Sequence, residues 1–339
     1  MKFMNITGSV RVLGAACLLA ASTGFAAFAQ SNLVITIDTG PGHLQTQMMN
    51  RFAAELEARS GGAMTAQVFD SAQLFNSRDA GRAVARGDAG MTILTSPALS
   101  RVEPNLNVFD LPMLNGMSVE QRTALVDGAL GERLNAALAA NMDIVVPGKW
   151  LLLGRVMYWS TQRPLNTLAD FNGLQVRIPG GAANVARLEA LGATAVVMPF
   201  ADTPLALQQG VVDATMGSTE TMLSQNLVDT GIRHAFWDEG IVGFRIPIVN
   251  GAYWNGLSAD ERTIFTTLLN ELVLEERVTV IAGEVSDQAA LEAQGVTFVT
   301  ASAEDVARAR EILMGIQDGL IAELGIAEDV VALAAAGIE

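Results

Sequence analysis

Residues 173–200, GLQVRIPGGAANVARLEALGATAVVMPF, read as strand, helix and strand. Leu174, Val176 and Ile178 alternate along one face; Ala182 to Leu191 carries helical spacing and stops at Gly192; Ala195 to Met198 is apolar again. Beyond it, Asp202 is placed to cap a helix with Pro204 in its first turn, ending at Gly210, and Val211 to Ala214 is a further strand. Strands separated by single short helices imply right-handed crossovers and a parallel sheet.

The same order occurs earlier. Leu33 to Ile37 is a strand, Leu44 to Arg59 a helix with Met48, Met49, Phe52 and Leu56 on one face, and the strand at Met64 to Val68 follows. Arg78 to Arg86 is a short helix closed by Gly87, and Met91 to Leu94 a third strand. Two such units in 339 residues, with no visible repeat between them, suggest two α/β lobes facing across a cleft. Residues 241–253 look like strands returning to the first unit. Ser258 and Glu261 form a capping box for a helix reaching about Gln294, which at 1.5 Å per residue is roughly 55 Å, enough to cross both lobes. Ser302 and Asp305 open another helix, and the Ala-rich tail is expected to pack as helical backing.

Lys2 and Arg11 precede an apolar run from Val12 to Phe28, and Ala27-Phe28-Ala29 resembles a cleavage site, so residues 1–29 are read as a secretory signal. Its removal takes away the one cysteine, Cys17, and with it any disulfide or thiolate chemistry. It also takes two of the 21 basic residues and none of the 36 acidic ones, moving the net charge from -15 to -17. That value opposes binding to nucleic acid or anionic lipid. No later apolar run approaches the roughly 18 residues of a membrane span, so a soluble periplasmic protein is expected.

Arg177 lies near the carboxyl end of its strand, where open parallel sheets place ligands. Between Gly148 and Leu188, Lys149, Arg155, Arg163, Arg177 and Arg187 face only Asp170, a net of +4 in an acidic chain. A guanidinium fork matches a carboxylate with two parallel charge-assisted bonds. The other reading of Arg177 is a structural ion pair with an acid distant in sequence, or an arginine on a solvated edge. Arg163 in a turn and Arg187 on a helix are expected at the surface. The chain has only two histidines and none of the HExxH, GxSxG or Walker patterns, so hydrolase or lyase chemistry has no support.

Taken together, FAAELEARSGGAMTAQVFDSAQL, VFDLPML, DFNGLQVRIPG, LGATAVVMPFADTPLALQQGVVDA and the long helix after AYWNGLSADE resemble a solute-binding protein of the tripartite ATP-independent periplasmic (TRAP) transporters, of the dicarboxylate-binding type. The resemblance implies a two-lobe α/β periplasmic binding protein fold, type II-like, with the long helix spanning both lobes. Residues 30–152 and 241–280 would form lobe I, and residues 153–240 and 281–339 lobe II with the C-terminal helices. The residues themselves give no enzymatic constellation, cofactor site or metal-ligand spacing and do not decide whether a metal ion bridges the ligand, and the resemblance implies a role in delivering an organic acid to TRAP membrane permease subunits driven by an ion gradient. A sensing partner in place of the permease is the alternative.

By the same resemblance Arg177 clamps a substrate carboxylate and Arg155 supports it. His43 matches a loop near the cleft, while Thr95 and Ser96 match a strand end that approaches ligand. Where several relatives carry a Gln-Glu-Asn-Pro type sequence, this chain has Thr215, Met216, Gly217 and Ser218, which argues against a heavily hydroxylated substrate. Trp150, Met157, Trp159, Phe200, Met216 and Trp237 are read either as core or as an apolar compartment for a hydrophobic organic acid.

Overall fold

The computed structural model describes residues 31–338, so the expected signal segment with Cys17 lies outside the described residues. Its strands are β1 (Ser31–Thr36), β2 (Met64–Phe69), β3 (Met91–Thr95), β4 (Ile144–Val145) and β5 (Leu151–Ser160) in the first half. The second half holds β6 (Gln175–Ile178), β7 (Thr194–Val197), β8 (Ala214–Gly217), β9 (His234–Asn250) and β10 (Thr297–Thr300).

They make one ten-stranded sheet in the order β2-β1-β3-β9-β5-β8-β6-β7, with β4 and β10 also paired to β9. The expected parallel units stand at its two ends: β2, β1 and β3 at one, β8, β6 and β7 at the other. Between them β9 and β5 run antiparallel to each other and to the strand each meets, β3 and β8. The 17-residue β9 thus ties the two parallel units together.

The expected helix Leu44–Arg59 packs Phe52 on Phe265 with ring centroids 4.9 Å apart, joining it to the long helix Ala259–Ala293. That helix opens with the Ser258–Glu261 capping box and runs 35 residues. Leu268, Leu272 and Val273 are buried against the first unit, and Glu276 accepts from the backbone nitrogen of Leu152 in the centre of the sheet. The last two helices back both units. Gln317 of Ala303–Leu324 accepts from the nitrogen of Met113, while Arg133 and Asp329 tie Glu328–Ala336 to the helix Ala129–Asn141.

Two local expectations shift. The strand expected at 211–214 begins instead at Ala214, because after Gly210, whose φ is +68°, Val211 N turns back to the carbonyl of Ala206, and the chain first meets β6 at Asp213, whose N donates to the carbonyl of Gln175. Asp202 precedes the helix Thr203–Gln208 as expected but its side chain caps nothing: it already ends a 3-10 turn, with helical φ and ψ of -87° and -14°.

Candidate functional site

The carboxyl ends of all five strands in the two parallel units that carry site residues converge on one cavity of about 60 Å³. Asp38 follows β1, Thr95 and Ser96 end and follow β3, Arg177 belongs to β6, Phe200 follows β7, and Met216 and Gly217 end β8. Such ends gather because parallel strands run the same way and leave their exit loops on one edge. Arg245 of β9, Asp110, Asn184, Ser77 and Thr221 add polar groups to the lining; Leu153, Val156, Ile241, Val242 and Phe244 supply apolar walls.

Arg177 is 3% exposed, and β6 holds it in register with Val196 and Thr215. Its Nε and Nη2 both donate to the carbonyl of Met198, at 3.0 and 2.9 Å, and its guanidinium lies 5.6 Å from the Phe200 ring centroid. Among the described residues no carboxylate pairs with it and its Nη1 has no hydrogen bond. Burial lowers its pKa to about 10, so it stays charged at neutral pH.

Beside it stands an arginine and an acid that the sequence reading did not name. Arg245 Nη1 donates to Asp38 Oδ1 at 2.8 Å, with both side chains buried. Arg245 pairs in register with Thr95 across β9 and β3, and both Arg245 Nε and Thr95 Oγ1 are buried without a partner among the described residues. The signal for Arg245 was the one used for Arg177: a lone guanidinium in an apolar strand, here GFRIPIV. Asp38 carries the matching signal, an acid just past the carboxyl end of β1.

A second polar group forms around Asp110 and Asn184. Asn184 Nδ2 donates to Asp110 Oδ2 at 3.2 Å, while Asn184 Oδ1 is buried and unpartnered. Desolvation pushes the Asp110 carboxyl up to about 7, offset only in part by Arg122 and Arg187. The charges nearest Arg177 are instead Asp38, Arg245 and Asp202. The cavity therefore has a cationic region and a separate, nearly neutral hydrogen-bonding region.

Of the expected site residues, Arg177, Thr95, Ser96, Phe200, Met216 and Gly217 line the cavity. His43 stands directly behind it. Its Nε2 is 3.1 Å from the hydroxyl of the lining residue Thr221 and 3.1 Å from Glu220 Oε2, and its Nδ1 accepts from Gln45 N. Burial and the nearby Arg245 charge lower its pKa well below the usual value, so it is the neutral Nε2–H tautomer that donates there.

Three residues stand elsewhere. Arg155 is turned outward, 3.2 Å from Glu284 and 4.5 Å over the Trp237 ring, and both line a separate surface groove. The cause is local: Gly154 has φ +92° within a register shift of β5 against β9, which breaks the alternation of faces. Trp150 is core, edge-on to Phe109 and bonded to Asn135. The +4 stretch does not gather either. Lys149 pairs with Asp127, Arg163 is exposed, and Arg187, expected at the surface, is 2% exposed because Asp238, 2.6 Å away, and Tyr158 bind it inside the fold. Among the described residues no group of three or more His, Cys, Asp or Glu side chains could hold a metal ion, and no helix is long and apolar enough to cross a membrane.

Residues 36–321 match the family described as bacterial extracellular solute-binding protein, family 7. The chain is 30% identical to the C4-dicarboxylate-binding periplasmic protein DctP of Rhodobacter capsulatus over 296 residues, 85% of this chain and 86% of that one. It is 28% identical to the protein of the same name from Vibrio cholerae, over 69% of this chain and 70% of the other. In fold it is similar to a TRAP periplasmic solute-binding protein from Ralstonia eutropha with bound (S)-2-acetolactate, with a TM-score of 0.84, 20% identity, and coverage of 91% of this chain and 99% of that chain. A counterpart from Shewanella oneidensis with bound succinate gives 0.81 at 22% identity, covering 92% of this chain and 100% of that chain.

Proposed function

The chain belongs to bacterial extracellular solute-binding protein family 7, and from that premise we propose that it captures a small organic carboxylate in the periplasm and presents it to a TRAP permease. The observation that carries the reading is Arg177. A buried cation with no paired acid among the described residues is costly, and an incoming anion removes that cost. The other buried arginines are already served. Arg187, Arg245 and Arg277 have acids, and Arg122 donates to the carbonyls of Phe109, Leu114 and Gly240.

Met198 fixes one edge of the guanidinium and leaves Nη1 for ligand, with the orphaned Thr95 hydroxyl and Arg245 Nε as further donors. The apolar walls exclude water and so strengthen the charged contact. Leu153, Val156, Phe200 and Phe244 favour a ligand with an apolar body over a heavily hydroxylated one. Family membership gives a transport receptor, and the lining hydroxyl of Thr221 meets the protonated Nε2 of His43, whose Nδ1 is occupied by Gln45 N, so the histidine there is a donor and not a base.

Calorimetry with a panel of mono- and dicarboxylates tests the proposal. At least one acid is expected to bind, and Arg177→Ala to weaken it by about 2 to 5 kcal/mol, the range for removing one partner of a desolvated charge pair. Unchanged affinity in that variant, or no binding by any carboxylate, overturns it.

A further inference from the structure

The long helix Ala259–Ala293 buries one face against the sheet and helix Leu44–Arg59, yet its outer face is not polar. Leu274, Val278, Ile281 and Val285 are 49, 68, 45 and 80% exposed. Their spacing of four, three and four residues is the heptad seam of a helix made to pack against another helix. Isolated exposed leucines are ordinary, but an in-register stripe of four on one helix is not.

We propose that this stripe is a pairing surface for a second copy of the same chain, the two long helices lying antiparallel. Three observations favour that occupant. First, the stripe is self-complementary: a two-fold axis crossing between Thr279 and Val280 sets Leu274 of one copy beside Val285 of the other, and Val278 beside Ile281. Second, the exposed positions beside its C-terminal half are small, Thr279, Ala282 and Ser286, and the glutamates beside its N-terminal half, Glu271 and Glu275, are drawn to Arg59 and Arg51 of helix Leu44–Arg59, so two helices can approach closely.

Third, the charges that would oppose contact between two acidic chains are already neutralised or withdrawn here. Glu275 pairs with Arg51, Arg277 with Asp127 and Glu284 with Arg155, while Glu276 is buried on Gln45 and the backbone of Leu152. No residue of this helix lines the cavity, so pairing leaves the ligand site open. The seam is under two heptads, which sets the expected dissociation constant in the range of about 1 to 100 µM.

Sedimentation of the purified protein over that range tests the pairing directly. A monomer–dimer equilibrium is expected, tightening as salt screens the net negative charge, and Val278→Glu with Val285→Glu is expected to weaken it by more than about tenfold while leaving ligand affinity unchanged. In a Cys17→Ser background, Val278→Cys with Ile281→Cys is expected to give an oxidised dimer, and the equally exposed control Val211→Cys is not. A protein monomeric throughout, a dimer indifferent to the glutamates, or cross-linking that does not exceed the control each overturns the proposal. So does a monomer whose docking on a permease in vesicles is abolished by Val278→Glu, since the face would then serve a membrane partner.

Discussion

Arg177 and Arg187 are equally buried, and they differ in what the chain provides for them. Arg187 has Asp238 at 2.6 Å with Tyr158 and Asn115 completing its shell, whereas Arg177 has one backbone carbonyl. Sequence position made Arg177 legible, because alternation on a short regular strand fixes which way a side chain points. It could not expose Arg187's role, since the acid it meets lies 51 residues away. Asp110 carries a pH prediction. Its folded pKa, raised by desolvation to about 7, stands above the 3.8 of an unperturbed aspartate. Below that lower value both states are protonated and the contribution is fully present; as pH rises the unfolded chain ionises first, and stability is lost until the folded group ionises too. Asp110→Asn is therefore expected to be less destabilised than the parent as pH rises from about 4 to 7, by a few kcal/mol at most given about 1.4 kcal/mol per unit. Urea denaturation at stepped pH measures it; parallel pH profiles in the two proteins would refute it.

Elements with an unbroken period were readable, and elements with an irregularity were not. Helices Leu44–Arg59 and Ala259–Ala293 match their expected spans to within a residue or so, because apolar spacing, a capping box and terminal breakers agree. On β5, by contrast, the register shifts between Leu152 and Gly154 and again between Val156 and Tyr158, so alternation along the strand does not fix which way Arg155 points. Gly154 is the hinge of that irregularity. Its φ is +92°, and a Cβ there would stand 3.1 Å from Val280 Cγ1 of the long helix. Gly154→Ala is expected to cost about 1 to 3 kcal/mol, combining left-handed backbone strain with crowding against the helix. Thermal melts compared with an alanine at Gly295, which also has positive φ but nothing within 4 Å of its Cβ, separate the two terms. Equal losses at both sites would mean that the packing of β5 on the helix contributes nothing.

At the scale of the whole molecule, the loop between β1 and helix Leu44–Arg59 meets helix Thr219–Ser224 from the other parallel unit. Glu220 Oε1 accepts from Leu44 N at 2.8 Å and Glu220 Oε2 from His43 Nε2, while Gln225 Oε1 accepts from Gly40 N at 2.8 Å. These bonds join the two units beside the cavity, so they exist only when the units are together, whereas β5, β9 and the long helix connect them in any arrangement. Contacts of that kind bias a closing equilibrium without holding either unit folded. Ligand affinity scales with the fraction of molecules already closed, so weakening the latch raises the apparent dissociation constant by the same factor. Glu220→Ala removes two of the bonds and is expected to weaken carboxylate binding about threefold to tenfold, mostly through faster release, with the unfolding free energy little changed. Small-angle scattering is expected to show a larger radius of gyration for the unliganded variant than for the parent, and equal radii at saturating ligand. Loss of affinity with an unchanged unliganded radius would instead assign Glu220 to direct support of the site through His43 and Thr221.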